Sequence, residues 1–140
     1  MNKETIFTNL NADYQEVVLE MADTLEDLNN AFAWLTKSKR LLAEAKDHLK
    51  TCEELLLLAE FGETGQINGR NEQIRQLQIA GLLHHWHATD PDISPAYLKV
   101  HDIEITVDQA SIAYEQAQAT LSVLRNRARM IAGLANALAS

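Results

Sequence analysis

The chain has 140 residues, 46% of them hydrophobic and 23% charged, with 5 glycines and 2 prolines. That length suits one domain, and a composition poor in turn formers points to helix rather than to a sandwich or barrel. The net charge of −8 argues against direct nucleic-acid binding, and the single cysteine, Cys52, excludes an internal disulfide or a cysteine zinc cluster.

The opening stretch MNKETIFTNLNADYQE holds no apolar core of a secretory signal. The longest apolar run, Leu55 to Ala59, is far short of the ~20 residues that span a bilayer. The expectation is a cytoplasmic protein without a membrane contact.

Glycine and proline punctuate the chain. Neither occurs in residues 1–61 or 96–132. Gly62, Gly65 and Gly69 cluster in FGETGQINGRN, and Pro91 and Pro95 lie in DPDISP. Both residue types are costly inside a helix, so the breaks separate three helices. The first is predicted over about 12–61, with Asn11 as its cap and Asp13 and Glu16 at the positive end of the dipole. A loop at 62–70 leads to a middle helix over about 71–87. A second loop at 88–94 leads to a third helix over about 95–138, opened by Ser94 as cap and Pro95 as first helical residue.

The third helix carries a seam in alternating steps of four and three: Ala96, Val100, Ile103, Val107, Ala110, Tyr114, Ala117, Leu121, Leu124, Ala128, Ile131, Ala135 and Leu138. Every position is apolar, which is the heptad pattern of a coiled coil. The first helix begins a similar track at Tyr14, Val18, Met21, Leu25, Leu28, Phe32 and Leu35. It then slips by one step of three and continues as Ser38, Leu42, Ala45, Leu49, Cys52, Leu56 and Ala59.

Two helices of matching length and period predict an all-α fold, a long antiparallel helical hairpin of coiled-coil type. The expected register sets Tyr14 beside Leu138 and Leu56 beside Ala96. Within the acidic row Asp13, Glu16, Glu20, Asp23, Glu26 and Asp27, it brings Asp27 to Asp23 opposite Arg125, Arg127 and Arg129, and it sets Lys37 opposite Glu115, ion pairs that would choose the register. Second apolar stripes run along Trp34, Leu41, His48 and Leu55, and along Leu98, Ile105, Ile112 and Ala119. The middle helix, apolar around most of its girth, is expected to pack over them at the loop end. A second subunit would take what remains exposed, so a homodimer is expected.

Three candidate sites follow. His84, His85 and His87 lie in LLHHWHATDPD, where His84 and His87 are spaced to share a zinc or nickel ion. The simpler reading is histidines at the negative end of a helix dipole, with no metal bound. The glycine loop before the middle helix invites a phosphate reading. It lacks the Gly-Lys-Ser/Thr ending of a phosphate-binding loop and follows no strand, so a turn with Asn68 and Asn71 closing backbone groups is the plainer account. Cys52 sits on the seam track, where a thiol packs rather than reacts. The apolar seam also excludes an inward carboxylate di-metal centre.

The stretch Gly65-Gln-Ile-Asn-Gly69-Arg70-Asn71-Glu72-Gln-Ile-Arg75 resembles a pattern, G-x-x-x-G-[K/R]-N-x-x-x-R, of small helical proteins of bacteriophages, prophages and mobile elements, set there between two long helices. The resemblance covers about residues 60–83. It implies an origin and no particular activity, and it raises Gly69, Arg70, Asn71 and Arg75 as binding residues. The expected function is that of a non-enzymatic helical interaction or assembly protein, without cofactor, whose partner is a protein. The alternatives are a ligand- or metal-binding protein using the Gly-Arg-Asn loop and the histidines, and an accessory in phage nucleic-acid metabolism acting through Arg125, Arg127 and Arg129.

Overall fold

The computed structural model describes residues 2–140. These form three helices, α1 (Lys3–Glu60), α2 (Glu72–Thr89) and α3 (Ile93–Ala139), with no strand beyond an isolated bridge between Phe61 and Ile67. No helix among the described residues is long and apolar enough to cross a membrane.

Two helix starts differ from expectation, each because an earlier side chain caps better. α1 begins at Lys3, well before Asn11. Asn2 is its cap: its Oδ1 accepts from the Thr5 amide at 2.8 Å and the Thr5 hydroxyl at 2.9 Å. α3 is opened by Asp90, not by Ser94. The Asp90 carboxylate accepts from the Asp92 and Ile93 amides, each at 2.9 Å, and its carbonyl accepts from the Ser94 amide. Pro91 lies in the turn before α3, and Pro95 is the third residue of the helix, in the first turn, where a missing amide costs no helical bond. The Asp90 amide in turn donates to the Trp86 carbonyl and closes α2, so one residue serves both helices.

The seam of α3 is buried or half-buried at every position from Ala96 to Leu138. On α1 the slip in the track does not occur. Burial follows Val17, Met21, Thr24, Leu28, Ala31, Leu35, Ser38, Leu42, Ala45, Leu49 and Cys52 in unbroken steps of four and three. Val18, Leu25 and Phe32 lie outside it, 44%, 41% and 55% exposed. Close helix approach selects small side chains over greasy ones at alternate seam positions. Thr24 tolerates burial because its hydroxyl donates to the Glu20 carbonyl at 2.8 Å.

The contacts divide the chain into two compact units. The terminal unit takes the residues up to Thr36 and Asp108–Ser140. Val17, Leu124 and Ile131 form its core, flanked by Leu10, Met21 and Ala128. Phe32 meets the Tyr114 ring at 5.8 Å between centroids. A register with Tyr14 beside Leu138 would carry Phe32 about one heptad further, to near Thr120. The seam accepts either register, and the ion pairs expected to decide do not form. Among the described residues neither the acidic row nor Arg125, Arg127 and Arg129 makes a salt bridge.

The loop-end unit is Lys37–Val107. Its fully buried side chains are Ile67 in the loop and Ile93 at the start of α3. α2 buries Leu82 and sets His87 against Glu53 of α1 and Tyr97 of α3. It does not cover the second stripes: Leu41, Leu55, Leu98 and Ile105 remain exposed. Leu98 and Ile105 each precede a seam valine by two residues, which puts them on the far side of α3 from the packed face.

Candidate functional site

The glycine-rich loop folds on its own backbone first. The Ile67 amide donates to the Glu60 carbonyl at 2.9 Å, and the Gly62 amide to the Ile67 carbonyl at 3.3 Å. The Glu60 carboxylate accepts from the Gln66 amide at 3.1 Å. This folds the chain so tightly over the end of α1 that a Cβ at residue 65 would run into the Glu60 backbone carbonyl. Gly65 is thus fixed by contact with backbone, which cannot give way.

The second half of the loop is held from α2. Gln78 Oε1 accepts from the amides of Asn68, at 3.1 Å, and Gly69, at 2.9 Å, while its Nε2 donates to Asn68 Oδ1 at 3.0 Å. Asn71 caps α2, its Oδ1 accepting from the Ile74 amide at 2.9 Å. Arg75 donates to the Gly69 carbonyl at 3.1 Å and pairs with Glu72 at 3.2 Å. A Cβ at residue 69 would collide with the Ile74 side chain.

Of the four residues singled out from the sequence, three therefore have structural partners. Gly69 allows the close approach of α2, Asn71 caps that helix, and Arg75 ties it to the loop. Arg70 is the exception. It is exposed and makes no side-chain hydrogen bond or ion pair among the described residues. It stands at the N-terminal, positive end of α2. Sequence reasoning missed Gln78 and Ile67. Ile67 carried a signal, as an apolar side chain inside a polar loop. Gln78 carried none, because its partners are backbone amides ten and nine residues earlier.

The histidines separate. His84 and His85 are exposed, whereas His87 is bonded to Glu53 at 2.6 Å and stacked on Tyr97 at 4.0 Å with the rings 5° apart. His101 meets the other edge of this group, T-shaped on Tyr97 at 4.6 Å. The chain Glu53–His87–Tyr97 joins all three helices and accounts for His87 without a metal. Among the described residues no group of three or more His, Cys, Asp or Glu side chains gathers closely enough to hold a metal ion. His85 instead borders a shallow cavity of about 300 Å³ with Gln66, Leu77, Gln78, Gly81 and Leu82. Cys52 is half-buried, its Sγ 3.8 Å from His48 Nε2.

Comparison of the chain with family models, with curated proteins and with solved structures finds no match.

Proposed function

We propose that the chain is a non-enzymatic helical interaction and assembly protein of phage or mobile-element type. In this reading α1 and α3 form an antiparallel, coiled-coil-like hairpin that works as a homodimer and engages a further protein. The observation that carries it is exposed surface. Large apolar side chains stand exposed in heptad rows, Val18, Leu25 and Phe32 on α1 and Leu98, Ile105 and Ile112 on α3. The antiparallel sense is favoured by contacts in the terminal unit, where Tyr14 shares a groove with Ile131 and Phe32 meets Tyr114. Light scattering coupled to size exclusion tests the dimer. The expected mass is twice 15.7 kDa; a monomer at millimolar concentration refutes it.

A second reading is favoured by Arg70 alone. An unpaired guanidinium at a helix N-terminus suits an anionic group. Isothermal titration with inorganic phosphate tests it, and the absence of heat removes it.

A further inference from the structure

One flank of the terminal unit is defined by a groove of about 560 Å³, in which Phe7, Asn11 and Tyr14 of α1 lie across from Ala132, Ala135 and Asn136 of α3. Heptad steps stay on one flank of a helix. From Asn11 they lead to Val18, Leu25 and Phe32. From Ala132 they lead to Arg125, Gln118 and Ser111, and from Asn136 to Arg129, Ser122 and Glu115. This flank therefore presents an apolar row on α1 beside a polar row on α3.

Reversed upon itself, the α1 row sets apolar side chain against apolar side chain, and the α3 row sets an arginine against a glutamate. On α3, inversion about residue 120 exchanges Arg125 with Glu115, Gln118 with Ser122, and Arg129 with Ser111. On α1, inversion about Leu25 exchanges Val18 with Phe32. The two centres lie at one height of the unit, because Thr24 and Thr120 line the same shallow cavity on the opposite flank.

We infer that this flank is the homodimer interface, with the second copy running antiparallel about a two-fold axis through the level of Leu25. The inference rests on the homodimer proposed above and names its surface. Leu25 packs on its own copy, Val18 packs on the second copy's Phe32, and Arg125 pairs with the second copy's Glu115, the last two contacts each made twice. Such a surface is isologous, so it closes on a dimer and does not propagate. Its apolar row forms the centre and its charges the rim.

Two observations select a second copy as the occupant. Arg125 and Glu115 have no ion-pair partner among the described residues, and each meets the opposite charge when the same flank is reversed upon it. Three residues of the acidic row lie elsewhere: Asp27 borders the cavity on the opposite flank, and heptad steps from it reach Glu20 and Asp13. Two copies of charge −8 thus meet with those carboxylates turned away.

Crosslinking and charge reversal test the surface in the full chain. In a Cys52→Ser background, Leu25→Cys is expected to give a disulfide-linked dimer on mild oxidation, because the axis brings the position against itself. Arg125→Glu and Glu115→Arg are each expected to weaken the dimer about tenfold, and the double variant to restore it. Both side chains are exposed, so helicity by circular dichroism should not change. A dimer whose affinity ignores both single substitutions, or one in which Leu25→Cys fails to crosslink, overturns this interface while leaving the homodimer standing. A monomer overturns both.

Discussion

The loop end and the terminal unit hold the same kinds of residue to opposite ends. In the loop, the side chains of Asn68, Asn71, Glu72 and Arg75 all have partners within the chain: Gln78 holds two amides and Asn68, Asn71 caps α2, and Arg75 holds a carbonyl and a carboxylate. In the terminal unit the charged rows flank the buried seam, and among the described residues no salt bridge joins them. The conspicuous motif is the part of the molecule that is satisfied. The inconspicuous heptad flank is the part that is left open. A dense motif can mark a hard folding problem, and an unpaired repeat can mark a contact still to be made.

The largest effect expected on stability is at Gly65. An alanine there places its Cβ on the Glu60 carbonyl, so the loop must open and lose the Ile67 and Gly62 backbone bonds. Gly65→Ala is expected to lower unfolding stability by about 3 kcal/mol in urea titration. A change under about 0.5 kcal/mol would show that the loop end is less tightly closed than the terminal unit is open, and would reverse the comparison.

A smaller loss is expected at Ala31. It is buried and shares a cavity lining with Ala113 and Ala117 of α3, small residue across from small residue. Ala31→Leu should cost about 2 kcal/mol by forcing the backbones apart, while Ala119→Leu on the exposed side of α3 should stay within about 0.5 kcal/mol. Equal effects at the two sites would mean that the seam is not where burial places it.

Much of the fold was legible in the sequence. The three helices and the α3 seam follow from glycine and proline spacing and from heptad period, since both act locally along the chain. The phase of the α1 seam was harder to see. Val18, Leu25 and Phe32 outrank Val17, Thr24 and Ala31 by apolarity, yet close packing favours the smaller set, and that preference appears only when a second helix is present. The helix starts were misread for a related reason. Asn11 and Ser94 are good caps, but Asn2 and Asp90 also cap and come first. The site was less legible than the fold. Asn71 as a cap is a local signal, whereas Gln78 and the Glu53–His87–Tyr97 group join residues far apart in sequence. The place of α2 against Glu53 and Tyr97 depends on the same distant contacts.

The finest test separates the two arginines of the motif. Arg75 is held by the Gly69 carbonyl and by Glu72, with its side chain 36% exposed, so solvent weakens both contacts. Arg75→Ala is expected to lower stability by about 1 kcal/mol. Arg70 has no such contact, and Arg70→Ala should leave stability within about 0.5 kcal/mol. Thermal melts of the two variants side by side measure the difference. If Arg70→Ala destabilises as much as Arg75→Ala, Arg70 belongs to the loop's own framework, and the reading of it as the motif's outward-facing cation fails. If Arg70→Ala melts like the parent chain but abolishes phosphate binding by titration, the motif divides cleanly. Gly69, Asn71 and Arg75 then shape the turn, and Arg70 is what the turn presents.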